Sequence, residues 1–241
     1  MQHGLLSEQI SQQLLKQLRE GIYSQVNRLP PEMEIAAQLN VSRTVVRDSL
    51  AALEREGFIT RKHGVGTIVN RHVLAVKTRM DLEEEFLDMI RNAGYTPSVA
   101  GTRVRYNRAD EYLAGRLQIA QGDELIQVWR LINADGIPAI SCVDSLPKAL
   151  VQSEDYDLEE LRKPIFSFLQ NYCFTDVYMD LTEVEAVAAT EELANDFGVT
   201  VGTPLLRMNE LGFDLRGRPV LHSDEHYRTG LLHHTVMRKK I

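Results

Sequence analysis

"VSRTVVRDSLAALEREGF", residues 41–58, decides how the first third of this chain folds. Val46, Ser49, Leu50 and Leu53 recur at helical spacing and predict one buried face. Ser42 stands before them as an N-cap, and Gly57 ends the run. The other face begins with Arg43, Thr44 and Arg47. The two arginines are one turn apart and so point the same way. Upstream, Leu29 precedes Pro30 and is therefore extended. Pro31 suits the first turn of a helix that buries Ile35, Ala36 and Leu39 and ends at Asn40. Further upstream, Ile10, Leu14, Leu15 and Leu18 form the stripe of another helix, capped by Ser7 and stopped by Gly21. Downstream, two β-prone runs, Phe58–Thr60 and Thr67–Val69, flank Lys62-His63-Gly64-Val65-Gly66, which reads as a hairpin. Helix, helix, turn, helix and hairpin within residues 1–70 make a winged helix-turn-helix.

The bulk properties bound the function. The chain has 241 residues and a net charge of −7. Residues 1–70 hold eight Lys+Arg against seven Asp+Glu, whereas residues 71–241 hold 19 against 27, so the acidity belongs to the C-terminal part. Arg43, Arg47, Arg61, Lys62 and His63 concentrate positive charge in the winged part. No basic leader followed by an apolar block opens the chain, and no apolar run is long enough to span a bilayer. The two cysteines, Cys142 and Cys173, form no CxxC pattern, which speaks against a disulfide framework or a structural zinc. A cytoplasmic protein without cofactor or membrane partner is expected.

Residues 71–77 read as a linker, and residues 78–241 as a second domain. "DLEEEFLDMIRNAGY", residues 81–95, predicts an amphipathic helix carrying Leu82, Phe86, Met89 and Ile90, stopped by Gly94. Strand patterns then dominate, with short helices between them. Asp135-Gly136 and Arg216-Gly217 mark hairpin turns. The pattern is α+β: one antiparallel sheet with helices packed on it. "ADEYLAGRLQIAQGDELIQVWRLINADGIPAI" echoes "TEELANDFGVTVGTPLLRMNELGFDLRGRPVL", each reading helix, loop, strand, turn, strand, as a duplicated half-domain would.

A helix entering the major groove presents its N-terminal residues to bases and phosphates. Arginine grips guanine with two donors or forks onto phosphate, and the hydroxyls of Ser42 and Thr44 suit phosphate contacts. Lys62, His63 and the glycine amides of the wing can lie against the neighbouring backbone. The competing account has Arg43 and Arg47 as surface residues paired with Asp48, Glu54 or Glu56.

These residues carry a resemblance. Leu29, Pro30, Glu32, Val41, Ser42, Arg43, Arg47, Leu53, Glu56, Gly57, Gly64, Gly66 and Thr67 follow, in order, the pattern of the GntR family of bacterial transcriptional regulators. Pro31 stands where that family often has Ser or Ala, and Met33 where many members have Arg. The resemblance implies DNA contacts from Ser42, Arg43, Thr44, Arg47, His63 and Gly64, joined by Lys62 from the wing. Residues 78–240 resemble the UTRA effector domain of the HutC-like branch. That implies a chorismate-lyase-like sheet, a homodimer on a two-fold operator, and a pocket that commonly receives an anionic small molecule. Arg130 matches the first arginine of the branch's anion-holding Arg-x-Arg, with Ile132 at the second. Cys142 replaces a common Glu, and Pro164-Ile165-Phe166 replaces a Ser-x-Tyr. Tyr227-Arg228 survive as effector contacts beside Arg130. The plain alternative for Arg130 is a pair with Asp135 or Asp144. Arg103 and Arg105 share a strand face and are further anion candidates.

The expected function is a DNA-binding regulator, a repressor controlled by a small-molecule effector, and not an enzyme, since no catalytic signature stands out. A metal- or redox-responsive regulator is the alternative, because His222, Asp224 and His226 would share a strand face and Cys142 could act as a thiol sensor.

Overall fold

The computed structural model describes residues 2–82, 84–153 and 155–238, with only the backbone for residues 2–5. The ranges 1–70 and 78–241 read from sequence thus include a few positions outside the described residues. The chain divides into two compact units, Met1–Leu82 and Glu83–Ile241.

In the first unit, α1 (Gln2–Arg19), α2 (Glu32–Leu39) and α3 (Arg43–Arg55) enclose Leu14, Leu18, Ile35, Val46, Leu50, Leu53 and Phe58, all fully buried. Val45 is buried as well, so α3 hides a wider stripe than its spacing predicts. Ser49 is buried with them, its hydroxyl 2.8 Å from the Ser7 carbonyl of α1 and 2.9 Å from the Val45 carbonyl. A buried hydroxyl needs such partners. Pro31 sits just before α2 as its N-cap position, and Asn40 closes that helix in the left-handed conformation (φ 52°). The wing pairs β1 (Ile59–Lys62) with β2 (Gly66–Val69), leaving His63–Val65 as its loop. Residues 27–29 run along β2, with Leu29 N–H donating to the Thr67 carbonyl and Val69 N–H to the Asn27 carbonyl, both at 2.9 Å.

The segment read as a linker is instead fastened to this unit. Residues Arg71–Leu74 form a helical turn, α4, and the Arg71 guanidinium donates to the carbonyls of Leu18, Tyr23 and Val26. In a two-residue strand, β3 (Thr78–Arg79), Arg79 is buried: it donates to the Glu56 carbonyl at 2.7 Å, pairs with Asp81 and lies over the Phe58 ring. Holding Asp81 there leaves it unavailable to the following helix. That helix, α5, therefore spans only Phe86–Ala93 rather than 81–95, with Gly94 as its left-handed cap (φ 97°).

The second unit is built on six antiparallel strands: β4 (Pro97–Arg108), β5 (Glu124–Ala134), β6 (Ile137–Pro147), β7 (Met179–Ala188), β8 (Pro204–Phe213) and β9 (Pro219–Arg228). Their order across the sheet is β4-β5-β6-β9-β8-β7. The order mirrors itself about the β6–β9 pair. The chain traces β4, α6 (Glu111–Leu117), β5, β6, and then repeats the path as β7, α8 (Glu191–Phe197), β8, β9. The echo in the sequence is thus a repeat in space. Asp110 and Thr190 cap the matched helices, accepting from Leu113 N–H and Leu193 N–H. Gln118 and Gly198 close them in the same left-handed conformation. Asp135 and Gly136 both take positive φ, as the first hairpin turn requires.

Alternation along each strand sorts the core into two faces. One face packs α6 and α8 through Leu125, Leu205, Leu211, Leu117 and Phe197. The other packs α7 (Ile165–Tyr172) through Ile126, Val128, Leu146, Leu221, Phe168 and Leu169. A final two-residue strand, β10 (His234–Thr235), follows β9.

Candidate functional site

The first unit displays its basic residues at one helix end and one loop. Ser42 caps α3, its hydroxyl accepting from Val45 N–H at 3.3 Å. Arg43, Thr44 and Arg47 are exposed beside it. Arg43 does make an ion pair, but with Glu32 of α2 at 2.9 Å rather than with Asp48, Glu54 or Glu56. It stays 68% exposed, so the pair steadies the guanidinium without hiding it. Arg47 has no ion pair among the described residues. Glu54 instead takes Arg61, accepting from its backbone N–H and, at 2.8 Å, its guanidinium, which ties the wing to α3. Lys62, His63 and Gly64 are exposed at the wing. Gly64 has φ 74° and open space around it, so the loop backbone can approach a partner closely.

One basic residue escaped the sequence reading. The Arg28 guanidinium lies against Gly66, where an added Cβ would meet it at 2.7 Å. Its position ahead of Leu29-Pro30 was the available signal, but only the pairing of residues 27–29 with β2 brings it to the wing.

The second unit holds a cavity of about 600 Å3, counting its open mouth, against the α7 face of the sheet. Arg130, Asp144, Glu210, Ser223 and Glu225 line it from four adjacent strands. Glu85 and Phe86 line it from the start of α5, and Pro164, Ile165 and Phe166 from the start of α7.

Arg130 is in place but already committed. It is 4% exposed, pairs with Asp144, and donates to the carbonyls of Leu161 at 3.0 Å and Lys163 at 2.8 Å. Asp144, not Asp135, is its carboxylate; Asp135 accepts from Thr96 N–H in the hairpin region. Asp144 also accepts from the Ser223 hydroxyl at 2.6 Å and the Cys142 thiol at 3.4 Å. Among the described residues the Nε–H of Arg130 has no hydrogen-bond partner. The other two expected contacts fall elsewhere: Tyr227 is buried with its hydroxyl donating to Glu225, and Arg228 donates to the Phe197 carbonyl at 3.1 Å. Neither lines the cavity. Tyr227 reaches it only through Glu225, and alternation turns Arg228 to the α8 side. Arg103 stacks on the Trp129 ring at 3.8 Å, beside Arg105 in a separate surface depression.

The cavity carboxylates were not singled out from sequence. Burial pushes Glu85 up to about 7, Asp180 up to about 6 and Glu210 up to about 7. In Glu210 the neighbouring charges of Asp180 and Asp144 add to the effect, while a hydrogen bond from Thr182 opposes it. The internal repeat carried the missing signal, because it aligns Glu210 with Arg130.

The metal and redox alternative finds no support. His222 is buried under the edge of Tyr112, and burial together with the Arg116 charge lowers its pKa. Asp224 is gripped by Arg207 at 2.8 and 3.1 Å and stays 3.9 Å from the His226 ring nitrogen. Among the described residues no three His, Cys, Asp or Glu side chains are grouped to hold a metal ion. Cys142 is fully buried, and desolvation, then the charges of Asp144 and Glu225, raise its thiol pKa well above the usual range. A thiol held protonated is a poor nucleophile. Among the described residues no helix is long and apolar enough to cross a membrane.

Comparison with known proteins agrees with this architecture. Residues 6–69 match the family described as bacterial regulatory proteins, gntR family, and residues 92–231 match the UTRA domain. The chain belongs to the GntR family of bacterial regulatory proteins and carries a UTRA domain. It is 27% identical over 223 residues to the HTH-type transcriptional repressor NagR of Bacillus subtilis (strain 168), covering 91% of this chain and 89% of that protein. It is 25% identical over 240 residues to the "Probable fructoselysine utilization operon transcriptional repressor" of Escherichia coli (strain K12), covering 99% and 96%. The crystal structure of YydK from Bacillus subtilis shares the fold, with TM-score 0.75 at 20% identity over 97% of this chain and 99% of that one.

Proposed function

We propose that this protein is a cytoplasmic repressor that binds a two-fold operator as a homodimer and leaves it, without chemical turnover, when a small molecule fills the UTRA cavity. The observation that carries the reading is the exposed set Arg43, Thr44 and Arg47 at the front of α3, beside the exposed wing residues Lys62, His63 and Gly64. A helix N-terminus with arginines one turn apart is equipped to read base edges, and Ser42, the wing lysine and the glycine amides to hold phosphates. Dimerisation matches the protein's symmetry to that of a palindromic site. The two relatives described above are named as repressors, which supports repression as the direction of control.

Coupling follows from the path of the chain. Glu84, Glu85, Phe86 and Leu87 line the cavity, and they lie just past the division at Leu82. A ligand in the cavity therefore acts on the stretch through which the chain arrives from the winged unit. By linkage, whatever weakens operator binding on ligand addition weakens ligand binding on operator addition by the same factor.

The test begins with DNA selected in vitro from random fragments by the intact protein. Arg47→Ala and Arg43→Ala should each weaken the selected site by about 1–3 kcal/mol where the arginine reads a base. Gel shifts in which both variants bind like the wild type would overturn the assignment.

A further inference from the structure

The charge of the cavity sets the class of molecule it accepts. Six carboxylates line it, against two guanidiniums. Of these guanidiniums only Arg130 is buried. Arg130 is engaged by Asp144 and two carbonyls, and Arg162 pairs with Glu159 at 2.7 Å. An anionic effector would therefore face an excess of carboxylates, with the buried guanidinium already engaged and only the 57%-exposed Arg162 to offset them. On the other side of the balance, Glu85, Asp180 and Glu210 have no ion pair among the described residues. Asp180 and Glu210 sit on the neighbouring strands β7 and β8. Val99, Ile132, Ile165, Phe166 and Leu221 supply apolar walls. One polar group, buried with its residue, also waits for a partner: the Nε–H of Arg130. Removing carboxylates from water without a counter-charge is unfavourable, and a cation placed among them relieves that.

We propose that the effector bears a protonated nitrogen, an ammonium or guanidinium group, seated against Glu210 and Asp180 with Glu85 nearby, and an oxygen acceptor for the Nε–H of Arg130. Amino sugars, sugar–amino acid adducts and hydroxylated amines have this chemistry. The raised pKa values of Glu85, Asp180 and Glu210 accord with it, since a bound cation would restore their ionised forms. The proposal rests on the reading of this cavity as the effector site.

The experiment is calorimetric titration of the whole protein at pH 7.5 with matched probes. One set is D-glucosamine, D-glucose and D-glucose 6-phosphate; a second is cadaverine, 1,5-pentanediol and glutarate; a third is agmatine alone. D-Glucosamine, cadaverine and agmatine should supply every binder, with D-glucosamine and cadaverine each at least tenfold tighter than D-glucose and 1,5-pentanediol. Glu210→Gln and Asp180→Asn should each weaken them tenfold or more, with unchanged circular dichroism. Val99→Trp, which fills the cavity from an edge strand, should abolish binding. A phosphate or carboxylate probe that binds best and is lost in Val99→Trp keeps the cavity as the effector site but overturns the cationic class. A binder indifferent to Val99→Trp overturns both. Silence from every amine overturns the cationic class.

Discussion

In the first half of the UTRA unit, β4-α6-β5-β6, the seventh position of β5 places Arg130 at the cavity; in the second half, β7-α8-β8-β9, the seventh position of β8 places Glu210 there. The register shows the match, since Arg130 pairs with Cys142 as Glu210 pairs with Ser223. Across the central pair, Cys142 faces Glu225 and Asp144 faces Ser223. The halves thus share caps, turns and strand path but present different chemistry. The first half neutralises its own charge inside a buried ion pair. The second half brings Asp180 and Glu210 to the cavity without an ion pair among the described residues. A repeated backbone supplies the scaffold, and a handful of inward positions makes the two sides of one pocket unlike.

Several substitutions break or sharpen that contrast. The largest effect belongs to Arg130→Met. It strands Asp144 as an uncompensated buried charge and releases the carbonyls of Leu161 and Lys163, so the unit should lose about 3–5 kcal/mol in urea unfolding. The double variant Arg130→Met/Asp144→Leu should recover much of this, because no lone charge remains. A double variant as weak as the single one would show that Arg130 acts through the two carbonyls alone.

Glu210→Gln should do the opposite. Glu210 carries a pKa of about 7 in the folded state against an ordinary 4.5, and it faces Asp180 and Thr182 on β7, Asp144 on β6 and Ser223 on β9. The folded state therefore holds its proton where the unfolded chain releases it. The stability tied to that proton is intact below the ordinary pKa and declines as pH rises toward 7. The glutamine variant should be more stable than the wild type by up to about 3 kcal/mol at pH 8, the gap shrinking below about 1 kcal/mol at pH 5. Thermal unfolding across pH reads this directly, and a gap independent of pH would remove the burial of this carboxylate as the cause.

The smallest effect tests how alike the halves are. Asp110→Ala and Thr190→Ala each remove the cap of a matched helix and should each cost about 1 kcal/mol. Unequal losses, measured by chemical unfolding, would show that one half carries more of the unit's stability.

Local pattern made the winged unit legible. The stripes of α1, α2 and α3, the Ser42 cap, the Asn40 stop and the glycine-bearing wing are short-range features that the structure keeps, although α1 begins ahead of Ser7, the cap read for it, Leu15 and Leu39 are only half-buried, and Val45 joins the stripe of α3. The extent of that unit was less legible, because it depends on Arg71 and Arg79 reaching carbonyls far away in sequence. In the UTRA unit the strands, hairpin turns and internal repeat were visible, since alternation and turn chemistry are local. Arg130 lines the cavity, whereas Tyr227 and Arg228, expected beside it from the resemblance, do not. The acidic lining went unread because Glu85, Asp180, Glu210 and Glu225 stand far apart in the chain.

The sequence by itself determined the two-part organisation, the winged helix-turn-helix and its exposed arginines, and the α+β sheet with its repeat. Periodicity, capping and turn residues act within a few positions, so they can be read in one dimension. Only the tertiary structure decided that Arg43 pairs with Glu32, that Arg130 is consumed by Asp144, and that the cavity is acidic. Those outcomes depend on which side chains the sheet order brings together, and burial then sets how much their charges count.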